Sequence, residues 1–243
     1  MTVGSGRNGR VGRRVQEAGG KAGGTGRGRT AVISVVVTGA LTGSVLVAAP
    51  AVAAPAAPAK VVYLTFDDGP GVHTPKVLDL LKQYGAKATF YQNGANVTAR
   101  PATTKRAHRE GHSIQNHTWS HVDLRTVSAT TFKSEVNRTD AAIRAQTNTT
   151  PTCLRPPYGA VNQTVRDRAA ALRKGIRLWS VDTQNWARPG RAAIESRVLN
   201  NVRNGSVVLL HDAGGDRSQT VAALPKILKT LKARGYTFGK QTC

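Results

Sequence analysis

From residue 61 onward, short apolar runs alternate with segments in which apolar residues recur every three or four positions. The runs VVYLTF (61–66) and SVVLL (206–210) are β-branched and apolar, a composition typical of buried strands. Val77, Leu78, Leu81 and Tyr84 have helical spacing. Strands that alternate with helices of about ten to fifteen residues predict an α/β fold with a mostly parallel sheet. Six or seven such units would suffice to close an irregular barrel, whose site lies at the carboxyl ends of the strands.

Capping residues, prolines and glycines place the predicted elements along the chain. Helices are expected to begin at Thr74-Pro75, Pro101, Ser128, Asn162, Arg191 and Gln219. Glycine is expected to end three of these helices, at Gly85, Gly111 and Gly175, and Pro225 to bend the last one or shift its start. Further strands are predicted over 87–94, 112–117 and 176–182.

The first 53 residues differ in composition from the rest of the chain. A segment rich in Gly and Arg precedes a small, apolar stretch over 31–49 and the run AVAAPAAPA. This order predicts a secretory signal peptide over 1–53, cleaved after Ala53, and a single domain over 54–243. A twin-Arg signal at Arg13-Arg14 and a retained membrane anchor are the alternatives. We favour cleavage, hence no stable membrane span in the mature chain and a secreted or cell-wall-associated monomer.

The chain is strongly basic, with a formal net charge of +22. Residues 1–53 contain seven of its 35 basic and one of its 13 acidic residues, which leaves +16 for residues 54–243. Such a surface suits an anionic partner, and for an exported protein an anionic cell wall fits better than nucleic acid. Since the basic residues form no dense block with aromatic residues between them, a solvated basic surface is the simplest interpretation.

The chain has two cysteines, Cys153 and Cys243. An even number in an exported protein favours a disulfide, and two buried free thiols are the alternative.

Polar residues follow five of the predicted strands, in FDDGP (66–70), NHTWSH (116–121), RPPYG (155–159), VDTQNW (181–186) and LLHD (209–212). Asp67 and Asp68 would repel each other unless a cation, a proton or an Arg lies between them, although a lone Asp-Asp-Gly can also be a simple turn. His117 and His121 are spaced for a shared cation, and one added carboxylate would make a three-ligand catalytic metal site. Thr118 stands where a zinc protease has Glu, so that motif is not met. We interpret His73, His108 and His112 as structural.

Together these motifs resemble the NodB-type polysaccharide deacetylases of carbohydrate esterase family 4, over residues 61–238. The resemblance implies a deformed (β/α) barrel of about seven βα units and a divalent metal, often zinc. It also implies a metal-dependent hydrolase that removes acetyl groups from N-acetylglucosamine polymers such as chitin oligomers or peptidoglycan, or from acetylated xylan.

The resemblance assigns a role to each matching residue. Asp68, His117 and His121 would hold the metal, Asp67 would be the base that activates metal-bound water, and His211 would be the acid. Arg155 would orient Asp67, the Tyr158 backbone N–H would stabilise the oxyanion, and Trp186 and Leu209 would line the substrate groove. One residue departs from the family, because Asn185 stands where an Asp is usual, and we therefore expect Asp182 to orient and charge His211.

Three other functions compete with N-deacetylation. An O-acetyl esterase acting on xylan is the nearest, and a non-catalytic wall-binding protein is less well supported because no expected ligand is missing. A nucleic-acid-binding function depends on charge alone.

Overall fold

A computed structural model describes residues 60–243, so the predicted signal peptide lies outside the described residues. Its eight strands are β1 (Lys60–Asp67), β2 (Thr89–Gln92), β3 (Ser113–Asn116), β4 (Cys153–Leu154), β5 (Gly175–Ile176), β6 (Val181–Asp182), β7 (Val207–His211) and β8 (Tyr236–Phe238). Its seven α-helices are α1 (Thr74–Gln83), α2 (Gly94–Ala99), α3 (Pro101–Arg109), α4 (Ala129–Thr147), α5 (Gln163–Ala171), α6 (Arg191–Asn201) and α7 (Ser218–Ala233). Short 3₁₀ turns span Pro157–Gly159 and Asn185–Ala187. Within 60–243, none of the helices combines the length and apolarity of a membrane span.

The described strands form one parallel sheet in the order β5-β4-β3-β2-β1-β7-β6. β8 is also parallel and pairs with the first residues of β1, where Val62 faces Phe238. The sheet curls into a half-barrel, which confirms the predicted deformed (β/α) barrel. The central strand β1 has Asp67 in register with His211 of β7, so two of the predicted catalytic residues lie side by side.

Alternation along β1 separates the hydrophobic core from the site. Val62, Leu64 and Phe66 are fully buried in the main cluster of apolar side chains, which α1, α6 and α7 cover. Thr65 and Asp67 point to the other face because side chains alternate along a strand. Thr65 Oγ1 donates to the Val208 carbonyl there, 2.8 Å away. The period of two thus directs Asp67 into the barrel interior.

Several predicted boundaries are confirmed and others are wrong. Ser128 caps α4, its hydroxyl accepting the Thr131 N–H at 3.1 Å. Pro225 lies inside α7, which continues through it. The single strand expected over 176–182 is instead two short strands, because the chain passes here from one edge of the sheet to the other. β5 pairs with β4, β6 pairs with β7, and residues 177–180 connect them. α5 ends at Ala171 rather than at Gly175, which is the first residue of β5.

A disulfide joins Cys153 to Cys243, as expected, and ties down the C-terminal segment, residues 239–243. The Gln241 N–H donates to Thr89 Oγ1 at 2.8 Å, and Ser113 Oγ donates to the Gln241 carbonyl at 3.3 Å. The segment therefore crosses the amino ends of β2 and β3 before it reaches β4. It closes the end of the half-barrel that lies opposite the site.

Candidate active site

A cavity of about 420 Å³ opens at the carboxyl ends of the strands. It is lined by Asp67, Asp68, His117, His121, Tyr158, Trp179, Asp182, Trp186, Leu209 and His211. Nine of the ten predicted site residues are in this lining, and the tenth, Arg155, is buried beneath it. Sequence reasoning missed Trp179, because its position between β5 and β6 was assigned to a continuous strand.

Arg155 is fully buried and holds Asp67 in place. One guanidinium nitrogen donates to Asp67 Oδ1 and Thr65 Oγ1, both at 2.7 Å. The remaining donors bond the carbonyls of Arg177 and Leu178 and the side-chain oxygen of Gln241. A buried Arg–carboxylate pair is stable when its other donors are satisfied in this way. Arg155 therefore keeps one oxygen of Asp67 occupied and leaves the other toward the cavity.

Asp68, His117 and His121 form a group of possible metal ligands, whose ligating atoms all lie within 4.8 Å of one another. Asp68 Oδ1 is 3.5 Å from His117 Nε2 and 3.2 Å from His121 Nε2. This oxygen is buried and has no hydrogen-bond partner among the described residues. His117 Nδ1 donates to the Arg155 carbonyl at 2.6 Å, which leaves Nε2 to face Asp68. An orphaned carboxylate oxygen between two imidazole nitrogens fits a divalent cation.

Charge and burial act in opposite directions on these groups. Burial alone would lower the pKa of His117, but the carboxylates of Asp67 and Asp68 outweigh burial and raise it. Burial would likewise raise the pKa of Asp68, but the neighbouring His117, together with His211 and His121, lowers it. The pKa of His121 is lowered by burial and by His117. The arrangement favours an ionised Asp68, as a metal ligand must be.

Glu135, on α4, holds the loop between the two histidines. Its Oε2 accepts the backbone N–H groups of Trp119 and Ser120, both at 2.8 Å, and its Oε1 accepts the Ser120 hydroxyl at 2.9 Å. Thr118 and His121 have φ of 67° and 62°, a left-handed backbone that non-glycine residues adopt only when their surroundings impose it. The buried Glu135 carboxylate supplies that constraint, and sequence reasoning missed it because Glu135 lies in an ordinary helical pattern.

His211 faces the triad across the cavity, but its partner is not the expected one. The hydrogen bond predicted between His211 and Asp182 does not form, because Asp182 is exposed and its Oδ1 accepts the Gln184 N–H at 2.7 Å. His211 Nδ1 instead lies 2.8 Å from Asn185 Oδ1. The Asn185 amide nitrogen donates to Thr220 Oγ1 at 2.7 Å and to the His211 carbonyl at 3.2 Å. These acceptors orient the amide, so its oxygen accepts and His211 Nδ1 carries a proton.

Because its partner Asn185 is neutral, burial has the largest effect on the pKa of His211. Burial lowers the pKa of this imidazole, and Arg217 and His117 lower it further, whereas Asp67 and Asp68 oppose them. The next residue, Asp212, is fully buried beneath the Asp67–Asp68 turn and accepts from Thr74 Oγ1 at 2.5 Å. Burial raises the pKa of Asp212 to about 7. A Cβ at Gly69 would lie 2.7 Å from Asp212 Oδ1, so only glycine fits where the turn crosses this acid.

Aromatic residues form the walls of the cavity. The side chains of Tyr158 and Trp186 are 70 % and 54 % exposed, which leaves their ring faces available to a ligand. The Tyr158 ring packs edge-on against His121, with centroids 4.7 Å apart. Buried Leu209 forms an apolar part of the lining next to His211. The site thus combines a charged floor with an open, partly aromatic groove.

The other histidines lie outside the cavity lining. His73 pairs with Asp216 at 3.2 Å on the surface. Buried His112 accepts the Ala88 N–H at 3.1 Å, and burial lowers its pKa to about 4.

Comparison with known proteins identifies the family of the chain. The polysaccharide deacetylase family model matches residues 54–179. The chain is 41% identical to a peptidoglycan-N-acetylglucosamine deacetylase of Bacillus cereus, over 74% of this chain and 85% of that protein. It is 40% identical to a chitooligosaccharide deacetylase of Sinorhizobium fredii, over 72% and 87%. The structure superposes with TM-score 0.71 on a family 4 carbohydrate esterase from Streptomyces lividans in complex with acetate, at 33% identity, covering 75% of this chain and 93% of that one. The chain therefore belongs to the polysaccharide deacetylases of carbohydrate esterase family 4, hydrolases that act on amide bonds.

Proposed function

We propose that this protein removes N-acetyl groups from N-acetylglucosamine units of an extracellular polysaccharide, either peptidoglycan or chitin oligomers. The observation that carries the proposal is the placement of Asp67 and His211 on adjacent strands, beside an Asp–His–His group in one open groove. The relatives named for peptidoglycan and chitooligosaccharide deacetylation support the substrate class.

In this mechanism Asp67 is the general base. Its ion pair with Arg155 orients the carboxylate, so the free oxygen can take the proton of a water that attacks the acetyl carbon. Asp68, His117 and His121 would hold a divalent metal. When bound, it would supply a positive charge that acidifies water and stabilises the oxyanion. Two imidazoles and one carboxylate suit zinc, with positions left open for water and substrate.

His211 is the general acid in this proposal. An amine is a poor leaving group unless it is protonated, and His211 Nε2 is the nitrogen left for this task because Nδ1 is bonded to Asn185. Leu209, Trp186 and Tyr158 would position the sugar and its acetyl group, with the Tyr158 backbone N–H near the oxyanion. Asp182 would contact the substrate directly from the wall of the groove. It would not act by orienting His211.

An O-acetyl esterase acting on xylan is the second candidate, and one observation favours it. Next to the neutral Asn185, His211 is protonated less readily than it would be next to a carboxylate. An ester releases an alkoxide, and this leaving group depends less on a protonated acid than the amine released from an amide does. Acetate release from chitin oligomers, peptidoglycan and acetylxylan, measured with one enzyme preparation, separates the two. Activity on acetylxylan alone would replace the first proposal.

Metal dependence tests the mechanism. Chelation should abolish activity, and a divalent metal should restore it, because three protein ligands hold a cation reversibly. Asp67→Asn should lose at least 10³-fold in kcat yet retain metal, whereas His117→Ala should lose both. Metal content of the purified variants, measured by mass spectrometry, is the readout. Equal metal loss in the two variants would show that Asp67 is a ligand instead of the base.

The leader and the disulfide support export. We propose that residues 1–53 are a cleaved secretory signal and that the mature protein is a monomer that works in or near the cell wall. N-terminal sequencing of protein recovered outside the cell should begin at or close to Ala54.

A further inference from the structure

Three adjoining cavities lie on the opposite side of the barrel from the active site. One of about 220 Å³ lies between the α1–β2 and α3–β3 connections, and a second of about 200 Å³ lies beside the start of β3. A third, of about 280 Å³, lies against the C-terminal segment. His112 lines the first and second, and Lys240 and Thr242 line the second and third. The shared residues show that the three cavities adjoin one another, and we call the three together the underside groove.

The groove is lined by cations that lack acidic partners. Lys82, Lys87 and Lys240 are exposed, and none of their amines lies within 4 Å of a carboxylate in the described part of the chain. Arg177 adds a fourth positive charge in the third cavity. The acidic residue in the lining, Glu110, accepts from Arg106 Nε at 2.7 Å, and the same guanidinium pairs with Asp79 at 2.6 Å.

The topology adds more positive charge around this groove. In a parallel βα arrangement the last turns of the helices lie at the amino ends of the strands. Exposed basic residues occupy or directly follow these turns at Arg109, Arg144, Arg173, Lys232 and Arg234. Six acidic residues lie instead at or beyond the carboxyl ends of strands, at Asp67, Asp68, Asp123, Asp182, Asp212 and Asp216. The basic residues at the helix ends therefore add to the positive charge of the groove lysines.

We propose that the underside groove is a second binding site, for an anionic polymer of phosphodiester-linked polyol or sugar units. Cations spaced along a row of adjoining cavities match charges that repeat along a chain. Tyr63, at one end, is the aromatic residue in the lining, so the groove lacks the stacking surfaces with which proteins bind single-stranded nucleic acid. Because groove and active site lie at opposite ends of the strands, both can be occupied together. Polymer binding would then raise the local concentration of a wall substrate.

The test uses poly(glycerol phosphate) as the probe and three forms of the full mature enzyme. The groove variant carries Lys82→Gln, Lys87→Gln and Lys240→Gln. The control variant carries Lys76→Gln, Lys133→Gln and Lys229→Gln, three exposed lysines outside the groove lining, so both variants lose the same charge. Kd is measured from 50 to 300 mM salt, together with deacetylation of a soluble chitin oligomer and the thermal midpoint.

We expect the groove variant to bind the polymer at least tenfold more weakly at 150 mM salt, and the control variant less than threefold more weakly. The slope of log Kd against log salt should fall by about 2 in the groove variant, since each lost phosphate contact removes roughly 0.7 for a flexible chain. Activity on the soluble oligomer should be unchanged in both. Equal weakening in the two variants would overturn the proposal in favour of a diffuse charge effect. Tighter binding of a matched-length oligo-dT than of the polymer would overturn it in favour of nucleic acid.

Discussion

Replacing Asn185 by Asp should keep His211, the proposed acid, protonated to higher pH. Asn185 is 1 % exposed and its oxygen lies 2.8 Å from His211 Nδ1, so the variant places a buried carboxylate against the imidazole. An anion favours the imidazolium and raises its pKa. The groups that already face His211 are Asp67, Asp68, Arg217 and His117, and their balance with burial leaves its pKa lowered. The new charge opposes that shift.

The magnitude follows from two opposing contributions. Charges about 4 Å apart interact by roughly 4 kcal/mol at an effective dielectric constant of about 20. Burying the new carboxylate offsets much of this, because one of its oxygens would replace the amide nitrogen that now donates to the His211 carbonyl at 3.2 Å. Thr220 can turn its hydroxyl to donate to that same oxygen, because its Oγ1 now accepts from the nitrogen that the oxygen replaces. After the burial cost is subtracted from the attraction, the pKa of His211 should rise by on the order of one unit, or about 1.4 kcal/mol.

The assay is kcat/KM against pH on one chitin oligomer, followed by acetate release. The basic limb, where the acid loses its proton, should move up by about one unit in Asn185→Asp. Asn201→Asp, which adds the same charge at an exposed position on α6, should leave the limb in place. If the limb is unmoved in Asn185→Asp while the variant folds and binds metal, His211 is not the group that titrates there.

Three further expectations follow. Asp182→Asn should shift the basic limb by less than about 0.3 unit on the same assay, since its carboxylate bonds the backbone rather than His211. Glu135→Gln should weaken metal binding by tenfold or more in a competition titration. Glu195→Gln, which disrupts the ion pairs of the buried Glu195 carboxylate with exposed Arg191 and Lys226, should lower stability and leave metal affinity intact. Replacing Cys153 and Cys243 by Ser should lower the free energy of unfolding in urea by roughly 4 kcal/mol in the chain-entropy model, and an unchanged urea midpoint would contradict this.

The sequence predicted the strand ends and the residues on them, because both depend on local patterns. The run 61–66 is apolar and β-branched, so β1 and the position of Asp67 at its end follow from composition and period. The convergence of five motifs follows from parallel topology. The sequence favoured a disulfide between the two cysteines but left free thiols open as the alternative. The path of the C-terminal segment, which brings Cys243 to Cys153, settles the choice.

Partners set by side-chain geometry were not predictable in the same way. VDTQNW contains two residues that could face His211, and the choice between Asp182 and Asn185 depends on a 3₁₀ turn whose preceding residue, Gln184, has φ of 49°. Glu135 lies 14 residues after His121 in the sequence. Nothing in the sequence of α4 distinguishes it from a surface Glu. The split between β5 and β6 depends on the curl of the sheet rather than on the apolar run over 176–182.

The pairing of β1 with β7 also determines when the molecule can become active as it folds. Asp68, His117 and His121 lie within the first half of the described chain, but His211 meets Asp67 only after contacts such as Thr65 to Val208, 143 residues apart, have closed. Long-range closures of this kind are slow because their entropy cost precedes their stabilising contacts. A chain caught before β7 docks would have the three proposed metal ligands in place but would lack His211, the proposed acid, beside Asp67. Metal binding should thus appear earlier in refolding than acetate release, and the delay between them measures the docking of a single strand.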